Sequence, residues 1–319
     1  MRTYANAARI ALIGAAVISA ISYVTHYALD MLCTIVAAII LLHLFVHFSI
    51  SFLQELFACL QGYYNPIKLI YTHSEKRMSL YVIADLHLST LDSTNKSMEV
   101  FGRRWDGYMT RIKNNWERLV TDEDTVIIPG DVSWALSLDE AVSDLKFIDS
   151  LPGKKILGKG NHDFWWSTMR KHEALFEKHG IKTISFLFNN AHETEEYIIA
   201  GTRGWYHDPD AKNAPDNADF HKLVNREAQR LTLSLKEAMK IKEHSPEKEI
   251  IVFMHFPPYW AEKASEGLVE ILKEYGIKRV YYGHIHGAYT EPPSFTYDGI
   301  EMCMISADYI EFIPKIVKF

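Results

Sequence analysis

Residues 78–87 read MSLYVIADLH, an apolar run of strand length that stops at an aspartate and a histidine. The pattern recurs downstream as TVIIPGD at 125–131, KILGKGNHD at 155–163, IIVFMH at 250–255 and RVYYGHIH at 279–286. Each is a short aliphatic or aromatic run closed by a polar cluster, and the stretches between them carry the apolar period of helices. Strands alternating with helices predict an α/β domain. In such sheets the loops at the carboxyl ends of the strands converge and are held rigidly, so functional groups gather there. All five ends deliver side chains able to bind a metal: Asp85 and His87; Asp131; Asn161 with His162 and Asp163; His255; and His284 with His286.

Amphipathic periodicity predicts helices over 98–120, 137–151, 165–179, 220–243 and 262–275, and further strands are expected at 197–200, 301–306 and 309–313. Ser137 and Glu140 have capping-box spacing, and Gly180 and Gly276 stand where helices would end.

A chain of 319 residues with 48% hydrophobic content can bury a substantial core. Its net charge of −6 arises from 34 basic and 40 acidic residues that are interspersed, so no nucleic-acid patch is evident. Cys33, Cys59 and Cys303 form neither a disulfide framework nor a thiolate metal motif, and a reducing compartment fits best.

The apolar residues crowd the N-terminus. Residues 10–24 and 31–53 are two nearly unbroken apolar runs, and a bilayer core of about 30 Å needs roughly 20 helical residues. They predict a transmembrane hairpin. Arg2 and Arg9 precede it, Lys68, Lys76 and Arg77 follow it, and no basic residue lies between the runs. That asymmetry places both ends and everything downstream in the cytoplasm. The expected organisation is a membrane anchor and linker over 1–77 and a catalytic domain over 78–319. A signal peptide competes for the first run, and translation starting at Met78 would leave a soluble cytoplasmic protein.

Singly, each polar cluster is weak; an Asp-x-His or a Gly-Asp is common. Together they define a chemistry. Oxygen and imidazole ligands suit manganese, iron or zinc. Two metals about 3.5–4 Å apart need a bridging carboxylate, for which Asp131 on its glycine-preceded loop is the natural choice. The glycines at 130, 160 and 283 are expected to let the backbone turn sharply beside the metals.

The ordered set Asp85-x-His87, Gly130-Asp131, Gly160-Asn161-His162-Asp163, His255 and Gly283-His284-x-His286 resembles the calcineurin-like metallophosphoesterase superfamily. The resemblance implies a four-layer sandwich of two mixed β-sheets flanked by helices. It also implies two divalent metal ions, Asp85, His87 and His286 holding one, Asn161, His255 and His284 the other, and Asp131 bridging. His162 would act as the acid on the leaving oxygen, with Asp163 fixing its orientation. A metal-bridging hydroxide would then hydrolyse a phosphomonoester or phosphodiester substrate. A nuclease or cyclic-nucleotide phosphodiesterase, or a non-catalytic metal-stabilised scaffold, uses the same core. The Asp-Arg-Gly of serine/threonine phosphatases is missing after Asp131, which argues against protein phosphatase activity. The wording around the motifs, such as Asn161-His162-Asp163-Phe164-Trp165-Trp166, is closer to a group of uncharacterised bacterial phosphohydrolases.

Arg203, in a glycine-flanked turn, is a candidate phosphate clamp, with a structural salt bridge as the alternative. Trp165 and Trp166 are expected to pack a helix rather than wall the site. Residues 206–219 read as a lid or a solvated loop, and His43 and His47 as polar contacts inside a helix pair.

Overall fold

The computed structural model describes residues 12–17, 78–90, 97–206 and 217–318. The chain divides into two units, Met1–Glu75 and Lys76–Phe319. In the first, residues 12–17 are helical, with Leu12, Ile13 and Val17 exposed. The rest of the hairpin expected over 10–53 lies outside the described residues, as do His43, His47 and residues 207–216 of the expected lid. Among the described residues no helix is long and apolar enough to cross a membrane.

The second unit holds two mixed sheets. In the first, β1 (Leu80–Val82), β2 (Thr125–Ile128), β3 (Lys154–Leu157) and β4 (Ile184–Phe186) run parallel. In the second, β6 (Tyr197–Thr202), β7 (Glu249–Met254), β10 (Arg279–Tyr282) and β12 (Ile300–Met304) are parallel. The edge strands β5 (His192–Glu193) and β11 (Ser294–Tyr297) close the second sheet antiparallel, and β13 (Lys315–Ile316) does so for the first. A small hairpin, β8 (Tyr259–Trp260) with β9 (Lys263–Ala264), stands apart.

Strand alternation sends neighbouring residues to opposite faces. Val126 and Ile128 of β2 therefore join α1 (Tyr108–Leu119), α2 (Val142–Ser150) and α3 (Met169–His179), with Trp116, Leu145 and Leu175, in one core. Ile127 turns the other way, into a second core shared with Ile199, Ile251 and Phe253 of the facing sheet. Val252 and Met254 pack on Leu231 and Leu235 of α4 (Asn217–His244) and on Leu268 and Leu272 of α5 (Glu266–Glu274). The result is four layers: helix, sheet, sheet, helix. Each fully buried Leu, Ile or Val contributes about 1.5–3 kcal/mol relative to exposure, so the alternation strongly fixes which face turns inward.

The helices expected from 137, 165 and 262 start later, at Val142, Met169 and Glu266, the last after strand β9, and two expected elements differ in kind. The stretch 98–120 is broken into 3₁₀ turns at Met98–Phe101 and Arg103–Trp105 before α1, because Gly102 and Gly107 take φ of 114° and 59°. Residues 309–313 form turns, with Ile310 N–H on Ser306 O at 3.0 Å and Phe312 N–H on Ala307 O at 2.7 Å. The turns bury Phe312 against Trp105, ring centroids 5.1 Å apart, a packing gain that overrides strand propensity.

Candidate metal centre

Asp85 and His87 follow β1, Asp131 follows β2, Asn161 and His162 follow β3, His255 follows β7, and His284 and His286 follow β10. The first two ends extend the β1–β2 ladder, Asp85 N–H bonding Gly130 O at 3.1 Å and His87 N–H bonding Asp131 O at 2.9 Å. His284 N–H donates to Asp85 Oδ2 at 2.8 Å and ties the second sheet to the first. The backbones of Asp85, His87, Asp131 and His284 are left-handed, with φ of 58°, 45°, 49° and 70°. A non-glycine residue there costs about 1–2 kcal/mol, and four such residues at one place mark a geometry held for its side-chain directions.

The glycines act in two ways. Gly130, at φ 142°, makes the expected turn. At Gly160 and Gly283 the reason is close approach instead: a Cβ would stand 2.0 Å from Asp131 Oδ1 and 2.5 Å from Asp85 Oδ2.

The side chains converge in two groups. Asp85, His87 and His286 bring ligand atoms within 4.8 Å of one another, and so do Asp85, Asp131 and His255. His87 Nε2 and His286 Nε2 face each other at 3.2 Å. Asn161 Oδ1 lies 2.6 Å from His255 Nε2 and 3.0 Å from His284 Nδ1. Asp131 Oδ2 sits between the groups, 3.6 Å from His87 Nε2 and 3.5 Å from His255 Nε2. Asp85 Oδ1 and His255 Nδ1 approach to 3.3 Å, yet both are buried without a hydrogen bond.

Burial and crowded charge perturb the carboxylates and imidazoles gathered here. Burial pushes Asp131 up to about 7, with Asp163 and Asp85 adding to the effect against the pull of His255. Burial would raise Asp85 too, but the close approach and charge of His255, with the charges of His286 and His87, hold it well below the usual carboxylate range. Burial drives His87 and His284 down, helped by the neighbouring imidazoles His286 and His255 respectively. His286 escapes this: burial lowers it, and the hydrogen bond it donates to Asp308 with the charges of Asp85, Asp308 and Asp131 more than reverses that, to about 9. Perturbed groups of both signs in one cluster are the mark of a functional site.

His162 stands at the rim. Its N–H donates to Asp131 Oδ1 at 2.8 Å, and its ring packs 4.5 Å from Trp134 and 5.6 Å from His87. Trp134 in turn stacks on His87 at 4.8 Å, and Trp105 meets His286 edge-on at 5.6 Å.

Two site assignments change. Asp163 sets the backbone rather than the His162 ring: its buried carboxylate accepts from the N–H groups of Asp131, Val132, Ser133 and Gly160 and from Trp165 Nε1. Arg203 is not a free clamp, because its Nη2 pairs with fully buried Glu227 at 3.3 Å. Trp165 and Trp166 pack as expected, Trp166 against Phe186 at 5.0 Å and His172 at 5.4 Å.

Sequence reasoning missed three groups. Asp308, following β12, accepts from His286 Nδ1 at 2.8 Å, Gly287 N–H at 3.1 Å and Tyr289 OH at 3.0 Å. It leaves Nε2 of His286 turned to the centre. Asp144 of α2 accepts from Ser133 Oγ and from Thr90 N–H and Oγ1, bracing the His87 and Asp131 loops. Tyr206 packs its ring 5.6 Å from His284. A lone aspartate beyond the end of β12 was the one available signal for Asp308.

A family model of calcineurin-like phosphoesterases matches residues 78–288. Among solved structures, the protein of unknown function AQ665 from Aquifex aeolicus is similar at 17% identity and a TM-score of 0.40, over 75% of this chain and 96% of that one. TT1561 of Thermus thermophilus is similar at 9% identity and a TM-score of 0.44, over 76% of this chain and 99% of that one. The comparison with curated proteins finds no match. With most of its second unit matched and a ligand-rich cluster at the strand ends, the chain belongs to the calcineurin-like phosphoesterase family.

Proposed function

We propose that the protein is a phosphohydrolase with two divalent cations, acting on a phosphomonoester or phosphodiester. The observation that carries this is the convergence of carboxylate, amide and imidazole atoms at the strand ends, in two overlapping groups whose ligand atoms lie within 4.8 Å of one another. His87 Nε2 faces His286 Nε2 at 3.2 Å, Asn161 Oδ1 is shared between two imidazoles, and Asp85 Oδ1 is buried without a hydrogen bond. Buried polar groups are normally paired, so an Asp85 Oδ1 left without a hydrogen bond inside this cluster fits a ligand set. Manganese, iron or zinc suits the oxygen and imidazole donors. Asp85, His87 and His286 would hold one cation, Asn161, His255 and His284 the other, with Asp131 facing both.

When bound, the cations supply charge neutralisation for phosphoryl oxygens and lower the pKa of water. Asp131, Asp85 and the four imidazoles fix the position of that charge, and the neutral Asn161 limits repulsion of an anionic substrate. His162, held by Asp131 through its N–H and by Trp134 through its ring, protonates the leaving oxygen, since imidazole titrates near neutrality. Trp105 and Trp134 cover His286 and His87 and exclude water from that side.

The test uses the full chain, stripped with a chelator, on nitrophenyl phosphate and bis-nitrophenyl phosphate with and without manganese. Turnover should need manganese, disappear in Asp131→Asn and fall about 10²–10⁴-fold in His162→Ala. Turnover that is independent of metal, or that survives Asp131→Asn, overturns the proposal. The apolar runs within 10–53 support a membrane anchor with the catalytic domain, 78–319, in the cytoplasm. Recovery of the full chain from a membrane fraction only after detergent is the expected result, and quantitative recovery without detergent refutes it.

A further inference from the structure

Beside the metal centre, Glu227 of α4 is fully buried among cations. It accepts from Arg230 Nη1 at 2.7 Å, Thr202 Oγ1 at 2.8 Å and Arg203 Nη2 at 3.3 Å, and Arg226 Nε lies 3.6 Å away. Lys159 lines the same small cavity as Arg203, Glu227 and Arg230. Four cations against one carboxylate leave a surplus of three positive charges, in a chain whose net charge is −6.

Satisfying Glu227 does not use all of this charge. Hydrogen bonds from Thr202, Arg230 and Arg203 already satisfy Glu227, and Arg226 is half exposed. Lys159 makes no hydrogen bond or ion pair among the described residues. Arg203 Nε, in the wall of the same cavity, is buried without a hydrogen-bond partner among the described residues. Like charges gathered around one carboxylate favour an anion beside them.

The cluster is built into the loops of the centre. Lys159 stands two residues before Asn161. Arg203 O accepts His255 N–H at 3.1 Å and Phe256 N–H at 2.9 Å. Tyr206, three residues past Arg203, packs its ring 5.6 Å from His284. Arg230 lies over the Phe188 ring at 5.1 Å, which holds the plane of its guanidinium.

We propose that Lys159, Arg226 and Arg230 form a subsite for a second phosphate of the substrate, so that the substrate class is a diphosphate or bisphosphate and not a simple monoester. The proposal rests on the phosphohydrolase reading above. Arg203 and Glu227 position the subsite, and Arg230 and Arg226 offer the planar donors that match phosphate oxygens, with Lys159 as a point charge.

The test variants are Lys159→Gln and Arg226→Gln in the full chain, since removing either leaves Glu227 paired with Arg203 and Arg230. Manganese-loaded wild type should prefer ADP or adenosine 3′,5′-bisphosphate to adenosine 5′-monophosphate. Each variant should lower kcat/KM for the preferred compound about tenfold or more, mainly through KM, and lower its ratio to the monophosphate, while Lys159→Arg retains it. Comparing ratios cancels the differing reactivity of the substrates. No preference in wild type, or the same ratio in the variants, overturns the proposal. Calorimetric titration of ADP into the chelator-treated full chain reads the subsite without turnover. Binding there should weaken about tenfold in both variants, and equal binding overturns the subsite. Should nitrophenyl phosphate remain intact with manganese bound, the hydrolase reading fails separately and the titration still decides the subsite.

Discussion

Replacing Asp308 with Asn tests whether the centre is a metal site oriented from behind. Asp308 is fully buried and receives three donors: His286 Nδ1 at 2.8 Å, Gly287 N–H at 3.1 Å and Tyr289 OH at 3.0 Å. Asparagine keeps the size and can still accept from Gly287 and Tyr289, so the main loss is the carboxylate charge behind His286. A charge-assisted hydrogen bond of this kind contributes about 1.5–3 kcal/mol, and removing the carboxylate behind a ligating histidine costs about 10–100-fold in metal affinity. The two figures agree, since 10–100-fold is about 1.4–2.7 kcal/mol. Manganese affinity of the full chain, measured by competition with a chromogenic chelator, should fall by that factor. Turnover should recover substantially at saturating manganese. Thermal unfolding in excess chelator separates a folding defect from a binding defect. Two cations bound to Asp308→Asn with wild-type affinity would show that His286 is not a ligand, or that Asp308 does not orient it.

Gly160→Ala places a Cβ 2.0 Å from Asp131 Oδ1; overpacking should cost about 1–3 kcal/mol in urea unfolding and weaken manganese binding at least about tenfold, and an unchanged affinity would refute the cradle. His172 is fully buried, burial pushes it from its usual 6.5 down to about 4, and its Nε2 accepts the Ser167 N–H at 3.1 Å. The unfolded chain therefore binds the extra proton between those values, stability rises with pH there, and acidification from 6.5 to 4 removes on the order of 3 kcal/mol. His172→Leu in chelator-treated protein should flatten that part of the unfolding profile; an identical acid limb would refute the assignment. Asp144→Ala strands Ser133 Oγ and Thr90, and should lower stability by about 1–3 kcal/mol together with manganese affinity, measured by denaturation and dialysis.

The α/β alternation and the ligand-bearing strand ends were readable because both are local. An apolar run followed at once by Asp-x-His or Gly-Asn-His names the strand, its end and its chemistry within ten residues. Asp163 was visible for the same reason, but its role was not. Its position in the motif suggested the neighbouring ring, whereas its oxygens are taken by amides of the 131–133 turn some thirty residues away in sequence. Asp308 and Asp144 serve partners 22 and 54 residues distant, and an isolated aspartate carries no sign of that. The helix expected over 98–120 failed because periodicity counts apolar positions and is blind to the positive φ of Gly102 and Gly107. Arg203 had the residue type and turn of a clamp; only the packing of α4 brought Glu227 against it.

By itself, then, the sequence determined which side chains stand at the strand ends, since alternation and turn chemistry are written in neighbouring residues. It also determined that those side chains are oxygen and imidazole donors. The tertiary structure decided which donor faces which. His284 N–H on Asp85 Oδ2 at 2.8 Å and His87 Nε2 against His286 Nε2 at 3.2 Å join residues 199 positions apart on two different sheets. Such contacts depend on how the buried faces of the two sheets pack, with Ile127 against Ile199, Ile251 and Phe253 in one core. Packing is a property of shape and volume summed over many distant residues, and no local pattern in the chain encodes it.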